Sequence, residues 1–126
     1  MTTMVCFTAA GAAYCMPVEA TRAVRRSVGV ITLPAARPDV AGIIPGDPPL
    51  TVLSALGAGG NHILVVEIAD HTFGLQVDSV TGLRRIDDAD IRPAPRGQER
   101  TLISGTIETG GDLMMVTNPN ALAARL

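Results

Sequence analysis

Short apolar or alternating segments recur along the whole chain, and each one ends at glycine, proline or a polar turn. Successive side chains of a strand point to opposite faces of a sheet, so such segments are typical of half-buried strands. Many short strands with few helical patterns predict an all-β barrel or sandwich rather than a parallel α/β sheet. The predicted strands are Val5–Thr8, Ala13–Pro17, Gly29–Leu33, Val40–Ile44, Leu50–Leu53, His62–Ala69, Thr72–Val77, Gly82–Ile86, Leu102–Thr109 and Leu113–Thr117.

One helical pattern precedes the C-terminal region. It covers Glu19–Arg26, where Ala20, Ala23 and Val24 share one face while the arginines lie elsewhere. This spacing predicts one or two turns of helix. A second short turn is expected at Asp78–Val80.

The C-terminal segment carries a start signal for a short helix. Asn118 is a preferred N-cap residue, and Pro119 follows it at the first helical position. Proline suits that position because it lacks the N–H that the first turn would leave unpaired. We expect Leu122 and Leu126 to pack back on the barrel.

Length and composition fit a single domain over residues 1–126. A chain of this size buries roughly two-thirds of its unfolded surface. Because aromatic residues make up only 2% of the chain, aliphatic side chains must form the core. The net charge is −2, and the ten basic residues are arginines without a continuous basic stripe. Binding of nucleic acid needs clustered cations, so no nucleic-acid partner is expected.

The chain shows no pattern for membrane insertion or export. No apolar run approaches the roughly 18 residues that a membrane helix needs. The first residues lack the basic start of a signal peptide, and the apolar run that follows is short. We therefore expect a cytoplasmic protein without direct membrane insertion.

The two cysteines fall on predicted strands that flank an Ala9–Ala12 loop. If Thr8 pairs with Ala13, Cys6 faces Cys15 across the hairpin. One interpretation is a redox switch across the hairpin, and the other is a pair of half-buried, reduced residues. A bridge directly across two strands is usually strained, and cytosolic thiols are kept reduced, so the second interpretation is favoured.

The residues that commonly carry chemistry form no catalytic or metal-binding pattern. His62 and His71 are the only histidines and lie at opposite ends of one predicted strand. A metal site needs three or four converging ligands. The acidic residues Asp87, Asp88 and Asp90 are expected to form a solvated turn that caps a short helix. We therefore predict no enzyme activity, no metal ion and no cofactor.

The Gly57–Gly60 stretch is a glycine-rich segment near the middle of the chain. It lacks the following Lys and Ser or Thr of a phosphate-binding loop, and it leads into a predicted strand rather than a helix. A flexible loop is therefore expected. This loop either joins two subdomains or forms the tip of a long hairpin.

The stretch from Phe73 to Pro95 combines an alternating strand, a Val77–Val80 step, a second strand, an acidic turn and a stiff Ile91–Pro95 segment. The order of these elements and the residues that form them closely resemble the CheW family, the bacterial chemotaxis adaptors that couple receptors to a histidine kinase. The resemblance extends from Met4 to about Leu122. Further matching segments are Val5–Tyr14, Ile31–Pro34, Val40–Ile43, Ser104–Thr106 and Leu113–Val116.

The resemblance implies two small SH3-like β-barrel subdomains with a groove between them, and it favours Gly57–Gly60 as their junction. It also implies a non-catalytic signalling adaptor with two partners. One is the regulatory domain of a CheA-like histidine kinase, itself a similar double barrel. The other is the cytoplasmic tip of a methyl-accepting chemoreceptor, which places the adaptor at receptor arrays on the inner face of the membrane.

The correspondence of positions between this chain and the family pattern also implies three contact surfaces. The groove beside Ile43–Asp47 is expected to take a receptor helix, and a barrel edge near Thr21–Arg25 to meet the kinase domain. The strands at 79–85 and 103–107 are expected to line the groove from the other subdomain. The candidate protein-interaction residues are Thr21, Ala23, Arg25, Ile43, Ile44, Asp47, Val80, Arg84 and Gly105.

Several family signatures are altered in this chain. Most members carry N-L-R-G after V-x-G-V/I, and Asp47 stands at the position of that arginine. The glutamate of a second signature, V-x-E, is Ala23, and the aspartate that usually follows the closing strand is Thr117. Charge reversal at a contact commonly costs several kcal/mol against the original partner.

Three functional interpretations follow from the sequence. The first is a coupling adaptor for a divergent receptor–kinase pair whose surfaces have changed in step. The second is a scaffold of the same fold that serves motility, polarity or another signalling system outside chemotaxis. The third is an enzyme or ligand-binding β-barrel that only looks similar.

Overall fold

The structure is a computed structural model that describes residues 1–34, 37–57, 59–94 and 102–126. The regular secondary structure of its described residues is almost entirely β, as predicted. The strands are β1 Thr2–Ala9, β2 Ala12–Pro17, β3 Thr21–Arg26, β4 Val40–Ile44, β5 Leu50–Leu53, β6 His62–Ile68, β7 His71–Val77, β8 Ser79–Ile86, β9 Ile103–Thr109 and β10 Asp112–Thr117. The helices are two 3₁₀ turns at Val18–Ala20 and Asp88–Asp90 and one α-helix, α1, at Pro119–Ala123.

The strands form two five-stranded sheets. The first sheet has the order β8-β1-β2-β10-β9 and therefore combines both ends of the chain. The second sheet has the order β3-β6-β7-β5-β4 and contains the middle of the chain. Most neighbours are antiparallel, and β2–β10 and β5–β7 are parallel pairs. The chain thus leaves the first sheet after β2 and returns to it at β8.

The β1–β2 hairpin has the register that the sequence predicted. Its two turn residues, Ala10 and Gly11, have φ values of 49° and 79°, as a two-residue turn of the type favoured in hairpins requires. The rings of Phe7 and Tyr14 stack with their centroids 5.7 Å apart. Cys6 pairs with Cys15 on the opposite face.

The largest apolar cluster lies between the two sheets. Phe7 and Tyr14 of the first sheet meet Phe73 and Leu75 of the second in this cluster, and Leu122 of α1 closes it. Two smaller clusters lie on the other faces of the sheets, one around Cys6, Cys15, Met114 and neighbours, the other formed by Ile44, Val52 and Ile63. Each sheet is therefore covered on both faces.

The prediction for α1 is confirmed. The Oδ1 atom of Asn118 accepts hydrogen bonds from the backbone N–H groups of Asn120 and Ala121 at 3.1 and 3.3 Å. Leu122 is fully buried, and Leu126 is partly buried against the inter-sheet cluster. The cap thus fixes the start of α1, and the two leucines hold it on the sheets.

The prediction of a helix at Glu19–Arg26 is wrong. Only Val18–Ala20 is helical, and Thr21–Arg26 forms β3, an edge strand that pairs with β6. The spacing of Ala20 and Val24 suggested a buried helical face, yet Val24 is 48% exposed. Pairing with β6 decides the conformation here, because tertiary context overrides a weak local pattern.

Two further predictions of local structure are corrected. Gly29–Leu33 is not a strand, and only Ile31 makes an isolated bridge to Ile43. The predicted turn at Asp78–Val80 is confined to a bend at Asp78, because β8 already begins at Ser79. Its pairing with β1, which sequence alone could not anticipate, extends the strand.

The Gly57–Gly60 stretch neither joins the subdomains nor forms a hairpin tip. It connects β5 to β6, which belong to the same sheet but are separated by β7. The subdomain junctions are instead the 3₁₀ turn at Val18–Ala20 and the bend at Asp78. Two positions of the sequence interpretation, Ala58 in this loop and Pro95 after β8, lie outside the described residues.

We propose that the two sheets form one cooperative unit, because they share the inter-sheet cluster. Phe73→Ala is expected to lower the free energy of unfolding by about 3–5 kcal/mol, with a single transition in urea. Far-UV circular dichroism reports both sheets, and the fluorescence of Tyr14 reports the first sheet. The exposed neighbour Thr72→Ala is the control. Separate midpoints for the two signals would show that the sheets unfold independently.

Candidate functional site

A groove of about 270 Å³ lies between β3, an edge of the second sheet, and β8, an edge of the first. We refer to it as the β3–β8 groove. Its lining is mainly apolar and consists of Val5, Val18, Thr21, Arg22, Ala23, Val24, Leu64, Val80, Gly82 and Leu83. Both flanking strands are sheet edges, so each has an unpaired side that another chain can approach.

The floor of the groove is part of the packed core. Val5 and Leu64 are buried in the inter-sheet cluster, with exposures of 6% and 1%. The 3₁₀ turn at Val18–Ala20 sets where β3 starts, and the hydroxyl of Thr21 donates to the carbonyl of Val18 at 2.8 Å. The groove is therefore held open by rigid elements rather than by a loop.

The rim of the groove exposes large apolar side chains. Val24 is 48% exposed and Leu83 is 65% exposed. Arg22, which also lines the groove, makes an ion pair with Glu67 of the neighbouring strand β6. An exposed apolar surface beside charged residues is typical of a protein-interaction site.

A second hollow of about 360 Å³ adjoins the groove and shares Arg22 with it. Arg25 of β3 lies on one side, and Pro48, Pro49 and Leu50 lie on the other. Asp47 immediately precedes these residues, is exposed, and is joined to Pro48 by a cis peptide bond. We refer to this surface as the Arg25 hollow.

The structure brings only some of the candidate residues together. Thr21, Ala23 and Val80 share the β3–β8 groove, and Arg25 lines the adjoining hollow together with Pro48, the residue after Asp47. These residues come from distant parts of the sequence. Packing of the two sheets against each other is what assembles them.

Ile43 and Ile44 lie on β4, at the opposite edge of the second sheet from β3. The backbone N–H and carbonyl of Ile43 are both hydrogen bonded to Ile31, at 2.9 and 2.8 Å. Ile44 is only 7% exposed and packs against Val52 and Ile63. The segment around Ile31 therefore covers the edge where the sequence interpretation placed a receptor groove.

Arg84 and Gly105 occupy different surroundings. The exposed side chain of Arg84 on β8 donates a hydrogen bond to the hydroxyl of Thr109 at 3.3 Å. Gly105 is buried beneath Ile91 and Arg92, where an added Cβ would lie 2.7 Å from the Arg92 carbonyl oxygen. Close backbone packing thus accounts for the glycine.

Gly105→Ala is accordingly expected to destabilise the fold by about 1–3 kcal/mol, since the new methyl group overpacks the site. Glu108→Ala, an exposed change on the same strand, is the matched control. Chemical denaturation of both variants measures the difference. A Gly105→Ala protein as stable as the control would refute the packing explanation.

Ionisable groups in the groove form no catalytic pair. Within residues 1–34, 37–57, 59–94 and 102–126, no cluster of three or more His, Cys, Asp or Glu side chains could hold a metal ion. In the same ranges, no helix is long and apolar enough to cross a membrane.

Burial raises the pKa of Tyr14, of Cys6 and of Cys15, the last to about 12.

Sequence reasoning missed the floor and rim of the groove. Val5 and Leu64 were assigned to strands without a functional role, and neither Val24 nor Leu83 was singled out. The alternating pattern of β8 assigns Leu83 to one face of its strand. That this face lies beside β3 follows only from the pairing of β8 with β1 in the folded protein.

The chain is similar to known proteins in sequence and in fold. A family model described as a CheW-like domain matches residues 52–126. The crystal structure of the scaffolding protein TtCheW from Thermoanaerobacter tengcongensis superposes with a TM-score of 0.80 and 22% sequence identity, over 93% of this chain and 88% of that chain. A search of curated proteins gives no match. The expected all-β fold of two packed SH3-like subdomains is thereby confirmed.

Proposed function

Because the chain belongs to the CheW-like domain family, we propose that it is a non-catalytic adaptor that couples chemoreceptors to a CheA-type histidine kinase in chemotaxis signalling. The family match over 52–126 is the observation that carries this proposal. The apolar groove between two sheet edges supports it, because adaptors act through contact surfaces. The corresponding place of action is the cytoplasm, at receptor arrays on the inner face of the membrane.

We assign the receptor contact to the β3–β8 groove. A chemoreceptor tip is helical, and an amphipathic helix binds by laying its apolar face into an apolar groove. Val80 lines the groove above the buried floor residue Leu64, and Leu83 and Val24 extend the apolar surface along the rim. The β4 edge at Ile43 is a poorer candidate because Ile31 already pairs with its backbone.

We assign the contact with the kinase regulatory domain to the Arg25 hollow. The family resemblance implies that this kinase domain is itself a double β-barrel. Arg25 supplies a positive charge, while Asp47 reverses the charge that most family members carry at its position. A kinase domain matched to this chain would carry the complementary pattern.

The adaptor transmits a signal only if it distinguishes two states of its partners. Equal affinity for the active and inactive arrangements would shift no population, however tight the binding. The groove and the hollow share Arg22. A receptor helix that moves Arg22 would therefore change the surface offered to the kinase.

Calorimetric titration with the kinase regulatory domain and with a receptor-tip fragment, both from the same organism, tests the proposal. Saturable binding of both, with micromolar dissociation constants, is expected. A folded sample that binds neither partner would refute the adaptor function. Binding of the two partners together in one complex would support distinct contact surfaces.

Leu83→Glu is expected to weaken binding of the receptor fragment at least about tenfold, because a carboxylate at the groove rim would be desolvated without a partner. Since Leu83 is 65% exposed, the fold should tolerate the change. Leu113→Glu is the matched control, as Leu113 is 47% exposed and lies outside the groove. Equal weakening by both variants would argue against the groove.

Asp47→Arg is expected to tighten binding of a conventional family kinase domain roughly fivefold, about 1 kcal/mol, because it restores the usual charge at an exposed position next to Pro48 of the hollow. Asp70→Arg, in the exposed β6–β7 turn, controls for the change in net charge. Titration at two salt concentrations separates a local contact from long-range attraction. No gain over the control would indicate that loop shape, rather than charge, sets the preference.

A further inference from the structure

Cys6 and Cys15 stand directly opposite each other in the β1–β2 hairpin. The hairpin is closed by the pair Ala9 and Ala12, and hydrogen-bonded and non-hydrogen-bonded pairs alternate away from it. Counting back from Ala9 places the two cysteines at a non-hydrogen-bonded pair. At such pairs the Cα atoms are about 4.5 Å apart, within the range of roughly 4.4–6.8 Å that disulfides span.

Two side-chain hydrogen bonds support this register. The hydroxyl of Thr81 on β8 donates to the Cys6 carbonyl at 3.2 Å. The hydroxyl of Thr117 on β10 donates to the Cys15 carbonyl at 3.0 Å. Because β8 and β10 flank the hairpin on its two outer sides, the cysteine carbonyls point away from each other's strand. The thiols share one face and one buried cluster.

We propose that Cys6 and Cys15 are a redox modification site, a buried dithiol that a two-electron oxidant converts reversibly to a disulfide. The two thiols lose two protons and two electrons, and one S–S bond forms. A diazene such as diamide takes up both hydrogens and becomes the hydrazine. The proposal does not rest on the adaptor function, and neither cysteine lines a surface assigned to a partner.

The two thiols differ in their surroundings, and this difference determines which of them reacts first. Cys6 is 6% exposed, whereas Cys15 is fully buried. Burial raises the pKa of both thiols, but the nearby Arg84 guanidinium opposes this rise. The thiolate is the reactive form, so the more exposed Cys6 adds to the diazene first. Cys15 then attacks the Cys6 sulfur, which forms the S–S bond and releases the hydrazine.

The same features make the resting state reduced and the disulfide reversible. A buried thiol reacts slowly until the hairpin opens. A bridge directly across two strands is strained, and strained disulfides are the more readily reduced ones. The site would therefore respond to sustained oxidation rather than to a brief exposure.

The test is thiol counting on the full chain. The reduced protein is treated with diamide in buffer and in sub-denaturing urea, freed of oxidant, then denatured without reductant and labelled with a maleimide. Intact-mass spectrometry is expected to show monomer without label after oxidation and two labels after dithiothreitol. Two labels on the oxidised protein in both conditions, or a disulfide-linked dimer, would overturn the proposal.

A matched variant tests whether the facing geometry matters. The double substitution Cys15→Ala with Ala13→Cys keeps two thiols on the same face, but places them diagonally, about 7–8 Å apart. Its bridge should form at least about tenfold more slowly than in the natural chain. Equal rates would show that any two thiols in this cluster react, and would refute a built site. The stability of the single variant Cys15→Ala shows whether the buried cluster tolerates loss of the thiol.

Discussion

Apolar packing between the two sheets is the interaction on which the rest of this structure depends. The chain has few aromatic residues, yet Phe7, Tyr14 and Phe73 all lie in the inter-sheet cluster. Neither sheet could bury its inner face alone, because each has only five strands and a small cluster on its other side. The same packing brings the edge strands β3 and β8 side by side.

The groove follows from how the chain moves between the sheets. A 3₁₀ turn leads out of the first sheet, and a single bend at Asp78 leads back into it. Both connections are short, so β3 and β8 start close to the inter-sheet core. Their unpaired sides and exposed apolar residues, Val24 and Leu83, form the surface that we assign to a receptor helix. The fold and the binding surface thus have one physical origin.

The three departures from the family pattern differ in where they lie in the structure. Ala23 lines the groove, and Asp47 is exposed and immediately precedes Pro48, which lines the Arg25 hollow. Thr117, in contrast, is buried and bonded to the Cys15 carbonyl. The first two changes alter what a partner meets, while the third belongs to internal packing. The proposed function attributes the first two to a divergent partner pair, and the family fold remains intact.

The sequence by itself determined the strand pattern, the β1–β2 register and the cap at Asn118, because each depends on neighbours within a few residues. It also carried the family resemblance that named Ala23, Val80 and Asp47. It failed at β3, where hydrogen bonds to β6 outweigh a weak helical pattern, and at Gly57–Gly60. Only tertiary structure decided which edges meet, that Ile31 covers β4 and that Leu83 reaches the groove, because these depend on contacts between distant segments.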